Sequence, residues 1–178
     1  MELNEASLIE RELTVRNLRL SREVLETRRS AIRWLALSLG IINPGESRLG
    51  SLAVLDALVY FQFAVKKDPN VREMIDYINA NWETINEKTL RYHLLRMKKM
   101  GIVENNQSKF YFKPPQVGDR FDAYAWSSEL FGAFYSGVAV KLADVINNLK
   151  NRDVVYKNVA RSRSKSQTHH NFGFINKS

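Results

Sequence analysis

Residues 84–114 read TINEKTLRYHLLRMKKMGIVENNQSKFYFKP. Asn86 is a good helix cap, because its side-chain oxygen can accept an amide hydrogen that the first turn leaves free. Leu90, Leu94 and Met97 recur at helical spacing and form one apolar stripe. Gly101 is the residue type on which helices commonly end. IVE and KFYFK then alternate around NNQS, as a small hairpin does, and Pro114-Pro115 closes the unit. With Leu90 as the inward direction and a step of about 100° per residue, Lys88, Tyr92 and Lys99 fall nearly opposite it. Arg91, Leu95 and Arg96 lie on the flanks of that outer face.

Upstream, SLAVLDALVYFQFAV (51–65) reads as an apolar helix. KKDPNVREMIDYINANW follows, and its Asp68-Pro69 pair predicts a helix start, with the carboxylate as cap and proline where no amide hydrogen is needed. Val71, Met74, Ile75 and Ile78 give that helix a buried face. Helix, helix, short turn, basic helix and hairpin over residues 50–115 resembles the winged helix-turn-helix family. The run Asn86-Glu87-Lys88-Thr89-Leu90-Arg91-Tyr92-His93-Leu94, then basic residues, then Gly101-Ile102-Val103, is similar to the recognition helix and wing of archaeal and bacterial winged-helix nucleic-acid-binding proteins. The resemblance covers a little over a third of the chain. It is more specific for fold than for function, since such domains also bind RNA, ribosomes and other proteins.

The resemblance implies that the outer face of the basic helix enters the major groove. Lys88 and Arg91 would then read guanine, and Asn86 or Thr89 would read adenine or bond a phosphate. Tyr92 and Arg96 share that face, and Lys98 and Lys99 are placed for backbone charge. In the wing, Lys109 and Lys113 would hold a neighbouring phosphate. Leu95 has three readings: contact with a thymine methyl, packing against the wing or the C-terminal helix, or a face that meets protein. His93 lies beside the core stripe and reads as a packing residue.

Around this unit the chain carries extensions. Residues 5–38 contain neither proline nor glycine and predict one long helix, roughly 50 Å in length. Leu18, Leu25 and Ile32 recur every seven residues along it, which predicts that residues 1–41 dimerise; the alternative is a bent helix over its own domain. The aromatic-rich segment 120–150 predicts a C-terminal helix whose Phe131, Phe134, Leu142 and Val145 serve core or dimer contacts, with a ligand pocket as the alternative. Residues 151–178 have no period and alternate Arg/Lys with Ser, which predicts a disordered arm. Either that arm only solubilises, or it orders on nucleic acid, with Arg161, Arg163 and Lys165 on phosphates and Phe172 or Phe174 stacked on a base.

The net charge of +8 is not spread evenly. Residues 86–113 hold 7 Lys/Arg against 2 Asp/Glu, net +5, and residues 152–178 hold 6 against 1, again net +5. The rest of the chain is slightly acidic, so the excess sits on two segments and points to a polyanion. With no cysteine there are neither disulfides nor thiolate metal sites, and a reducing cytoplasm is the simplest setting. The N-terminus lacks a signal-peptide core, and the apolar stretch 32–42 is too short for a bilayer. Phosphate-binding glycine loops and hydrolase signatures are missing, and His169-His170 stand without further ligands, so neither catalysis nor a cofactor or metal is expected. The expected fold is mainly α with a small β-hairpin wing, a winged helix-turn-helix flanked by long N- and C-terminal helices. The expected function is that of a homodimeric DNA-binding transcription regulator. The alternative is a factor bound to rRNA or the ribosome, of the kind that joins or blocks ribosomal subunits.

Overall fold

The computed structural model describes residues 5–10, 12–132, 135–137, 139 and 142–147. The chain divides into two compact units, Met1–Phe131 and Gly132–Ser178. In the first, a short 3-10 turn (Glu5–Leu8) precedes an irregular segment, α1 (Arg22–Glu26) and α2 (Arg28–Ser38). Then come α3 (Leu49–Val59), which runs on as a π-helical turn (Tyr60–Val65), α4 (Val71–Asn81) and α5 (Glu87–Lys99). The antiparallel hairpin β1 (Val103–Asn106) and β2 (Lys109–Phe112) follows, and helical residues 123–131 (α6) end the unit. In the second unit, the described residues 135–137, 139 and 142–147 are helical. The molecule is therefore mainly helical with one small hairpin.

α3 is the axis of the core. Every residue from Ser51 to Leu58 is buried, which follows from a helix that is apolar all round and packed on α2, α4, α5 and β2. Met74 and Ile78 of α4 and Leu90, Leu94 and Met97 of α5 close on it. Phe63, Phe112 and Trp126 form an aromatic cluster, with ring centroids of Phe112 and Trp126 4.7 Å apart. Trp126 and Leu130 thus bind α6 into the core, which resolves part of the aromatic run as packing.

The buried carboxylate inside this stack is informative. Asp56 of α3 is 2% exposed and ion-pairs with Arg28 at 2.6 Å. It also accepts hydrogen bonds from Trp82 Nε1 (2.8 Å) and the Tyr77 hydroxyl (3.3 Å). One carboxylate therefore ties α2, α4 and the turn after α4 to α3, because a buried charge is tolerable only when its lone pairs are met.

Two expectations are corrected. Residues 5–38 are not one helix: 12–20 are neither helix nor strand, and Thr27 separates α1 from α2. Tertiary hydrogen bonds outweigh helix propensity there. The Arg16 guanidinium donates to the carbonyls of Leu37 (2.8 Å) and Ile42 (3.1 Å) and to Asn43 Oδ1 (2.7 Å), which ties this segment to the end of α2 and the turn after it. Arg16 N donates to the Ser38 carbonyl, Ser38 Oγ returns a bond to the Arg16 carbonyl, and Trp34 Nε1 donates to the Arg19 carbonyl. Thr14 seats on Gly40 so closely that a Cβ there would lie 2.7 Å from it. The heptad stripe breaks up with the helix: Leu18 is half-buried on non-helical chain, Leu25 is exposed, and Ile32 belongs to the chain's own core. The second correction concerns α4, whose cap is Asn70, not Asp68. Asn70 Oδ1 accepts from Glu73 N (3.0 Å) while Glu73 accepts from Asn70 N (2.9 Å), a reciprocal capping box. Asp68 instead pairs with Arg120, far along the chain.

Candidate nucleic-acid interface

The basic helix α5 is held by both ends and by one face. At its start, Asn86 Oδ1 accepts from Thr89 N at 2.8 Å, so the Asn86 oxygen is occupied as a cap. At its end Gly101 takes φ +73°, Gly101 N donates to the Lys98 carbonyl, and Ile102 N to the Met97 carbonyl. That pairing is a Schellman stop, closed by buried Ile102 and Met97. The inward face (Leu90, Leu94, Met97) is fully covered.

His93 is buried beside that face and hydrogen-bonded to Ser51 at 3.0 Å. Burial holds its pKa below the ordinary value, and the neighbouring charges of Arg96 and Arg48 act in the same direction. Gly50 lets α3 approach: a Cβ there would meet His93 Nε2 at 2.7 Å.

The outward face keeps its cations in solvent. Lys88, Arg91, Lys98 and Lys99 are exposed, Thr89 is half-buried, and Tyr92 and Leu95 are 57% and 53% exposed. Leu95 is thus not packed under the hairpin. Arg91 Nε binds Glu87 Oε1 at 2.7 Å, one turn back. Lys98 Nζ donates to Asn105 Oδ1 at 2.7 Å, which fastens the last turn of α5 to β1. Arg96 is half-buried and lines a surface groove with Lys99, Glu10, Glu12, Thr14 and Gly40, so the N-terminal segment brings two carboxylates to the last turn of α5. Arg96, Lys98 and Lys99 also complement the negative end of the helix dipole, a structural role independent of any ligand.

The hairpin turn is made by Gln107 and Ser108, both at positive φ. Lys109 is exposed at the start of β2, and its charge contributes to holding Glu73 of α4 below the usual carboxylate range, behind the larger effects of Lys67 and Asn70. Lys113 is exposed just beyond β2. The structure therefore brings Lys88, Arg91, Tyr92, Leu95 and Lys99 to one helix surface, and gives Asn86, Arg91 and Lys98 side-chain partners within the fold. Arg161, Arg163, Lys165 and Phe134 lie outside the described residues. Phe131 is partly buried against the core, whereas Leu142 and Val145 are exposed.

Sequence reasoning missed Asn105, Asp56 and the Arg16 contacts. The one signal for Asp56 was an acid inside the apolar run SLAVLDALV. Among the described residues no helix is long and apolar enough to cross a membrane, and no group of three His, Asp or Glu side chains converges as a metal set. No family model, curated protein or solved structure matches the chain.

Proposed function

We propose that the chain is a homodimeric nucleic-acid-binding protein of winged helix-turn-helix type, a DNA-binding transcription regulator of the cytoplasm. α3, α4 and α5 supply the three helices, α5 is the recognition helix, and β1–β2 is the wing. One observation carries this reading: α5 buries Leu90, Leu94 and Met97 while holding four exposed cations away from that face, Lys88, Arg91, Lys98 and Lys99, of which Arg91 pairs with Glu87 and Lys98 with Asn105. A helix anchored on one side and cationic on the other has the geometry that enters a major groove. The order of three helices and a hairpin supports the same reading.

A second reading, an rRNA- or ribosome-binding factor, rests on the net +5 of residues 152–178. One experiment separates the two. The full chain is purified from its native cells after crosslinking, and chromosomal DNA and ribosomal subunits are assayed in the same preparation. Recovery of specific DNA supports the regulator, and co-sedimentation with subunits alone replaces it with the ribosome factor. Recovery of neither removes both.

A further inference from the structure

The outermost line of α5 is Lys88, Tyr92, Leu95 and Lys99, spaced four, three and four residues apart. That spacing keeps all four on a single ridge. Both ends are exposed lysines, and both central residues are apolar bodies left more than half in solvent. The Tyr92 ring is positioned: it stands edge-on to His93, centroids 5.2 Å apart, and His93 is itself held by Ser51. The Leu95 side chain and the ring of Tyr92, at the centre of a basic face, offer apolar contact that a phosphate does not return. They need an apolar partner that lies between two phosphate rows.

We propose that Tyr92 and Leu95 determine specificity by packing on thymine C5-methyl groups in the major groove, while Lys88 and Lys99 hold the flanking phosphates. This inference rests on the DNA-binding reading above and names what α5 reads. From Lys88 to Lys99 the helix rises about 16 Å, close to five base pairs at roughly 3.4 Å each. The terminal lysines therefore bracket a short run of bases, and the apolar pair falls on the middle of it. Of the groups exposed on the major-groove floor, the thymine methyl is the apolar one; the others are hydrogen-bond donors and acceptors. Uridine lacks that methyl, and the deep, narrow groove of A-form RNA excludes the ridge. The same two side chains thus favour DNA over RNA.

The test uses the full chain and duplexes selected by it from a random library. Each thymidine of the selected site is replaced singly by deoxyuridine, which removes a methyl and leaves pairing and the O4 acceptor intact. At one or two adjacent central positions the wild-type Kd should rise about fourfold per methyl lost. Leu95→Ala should bind the thymidine duplex more weakly and respond less to deoxyuridine at the position Leu95 covers. Circular dichroism checks that this exposed substitution leaves the fold intact. A selected site without central thymines, or a wild-type Kd indifferent to every replacement, overturns the inference and leaves DNA binding standing. Failure to enrich any duplex removes the DNA reading and the inference together.

Discussion

Lys88 and Arg91 sit one turn apart on α5, yet their surroundings differ. Arg91 shares its guanidinium with Glu87, whereas among the described residues Lys88 makes no ion pair. A lysine held only by water gives up little when it meets a phosphate. Lys88→Ala should therefore lower the slope of log K against log salt by about 0.9, the share of one phosphate, with little change in sequence preference. Arg91→Ala should cost about 1–3 kcal/mol and relax preference at one base, because a bidentate guanidinium reads guanine. Anisotropy titrations over a salt series distinguish these outcomes, and an unchanged slope for Lys88→Ala would place that residue off the phosphates. His93 makes a prediction of another kind. Its folded pKa is depressed by burial, so the unfolded chain binds the proton more tightly. The stability linked to His93 is then fully present above the unfolded value, near 6.5, and is lost as pH falls through the folded value. Urea midpoints should decline on this account as pH is lowered below about 6.5, and His93→Gln should flatten that part of the profile. Equal pH slopes for the two proteins would contradict the assignment.

The ends of α5 were legible in the sequence because their signals are local. Asn86 caps through Thr89, three residues on, and Gly101 stops the helix through Lys98 and Met97, also close in the chain. The stripe Leu90, Leu94, Met97 needed only the helical period. α4 was misplaced by two residues at its start, since Asp68 looks like a cap until Arg120, 52 residues away, claims it. The N-terminal segment went furthest wrong for the same reason. Leu, Arg and Glu favour helix, but the hydrogen bonds of Arg16 reach Leu37, Ile42 and Asn43, and no local pattern announces them. The hairpin was expected from alternation, but its turn type was not. Gln107 and Ser108 both adopt positive φ (47° and 67°), a backbone that two-residue hairpins favour and that these side chains tolerate poorly. Replacing the pair by Asn-Gly should therefore stabilise the fold by about 0.5–1 kcal/mol, read as a rise in urea midpoint. Nucleic-acid affinity should stay within about twofold, since neither residue belongs to the α5 ridge. A destabilised variant would show that the Gln107 or Ser108 side chain makes contacts that outweigh its strain.

At the scale of the whole molecule, a dimer expected from the N-terminal heptads loses much of that basis. Ile32 is committed to the chain's own core, and Leu18 stands half-buried on non-helical chain. A further uncovered apolar face lies on the helical residues 142–147 of the second unit, where Leu142, Val145 and Ile146 are each exposed by 58–61%. Spacings of three and four residues put them on one side of that helix, which suits self-pairing with a second copy. Leu142→Lys with Ile146→Lys should then shift the mass seen by light scattering from dimer to monomer at micromolar concentration. Both residues lie outside the core cluster of the first unit, so its unfolding transition should be unchanged. The proposed DNA binding supplies an independent readout. A dimer carries two copies of α5 and meets two half-sites about 34–36 Å apart, or a multiple of that. The monomeric variant should keep the base preference of one half-site, bind with about half the salt slope, and lose its dependence on half-site spacing. A wild-type chain that scatters as a monomer would end the dimer reading. A double variant that remains dimeric would move the contact away from 142–147, toward exposed Ile9, Leu20 and Leu25 of the N-terminal segment.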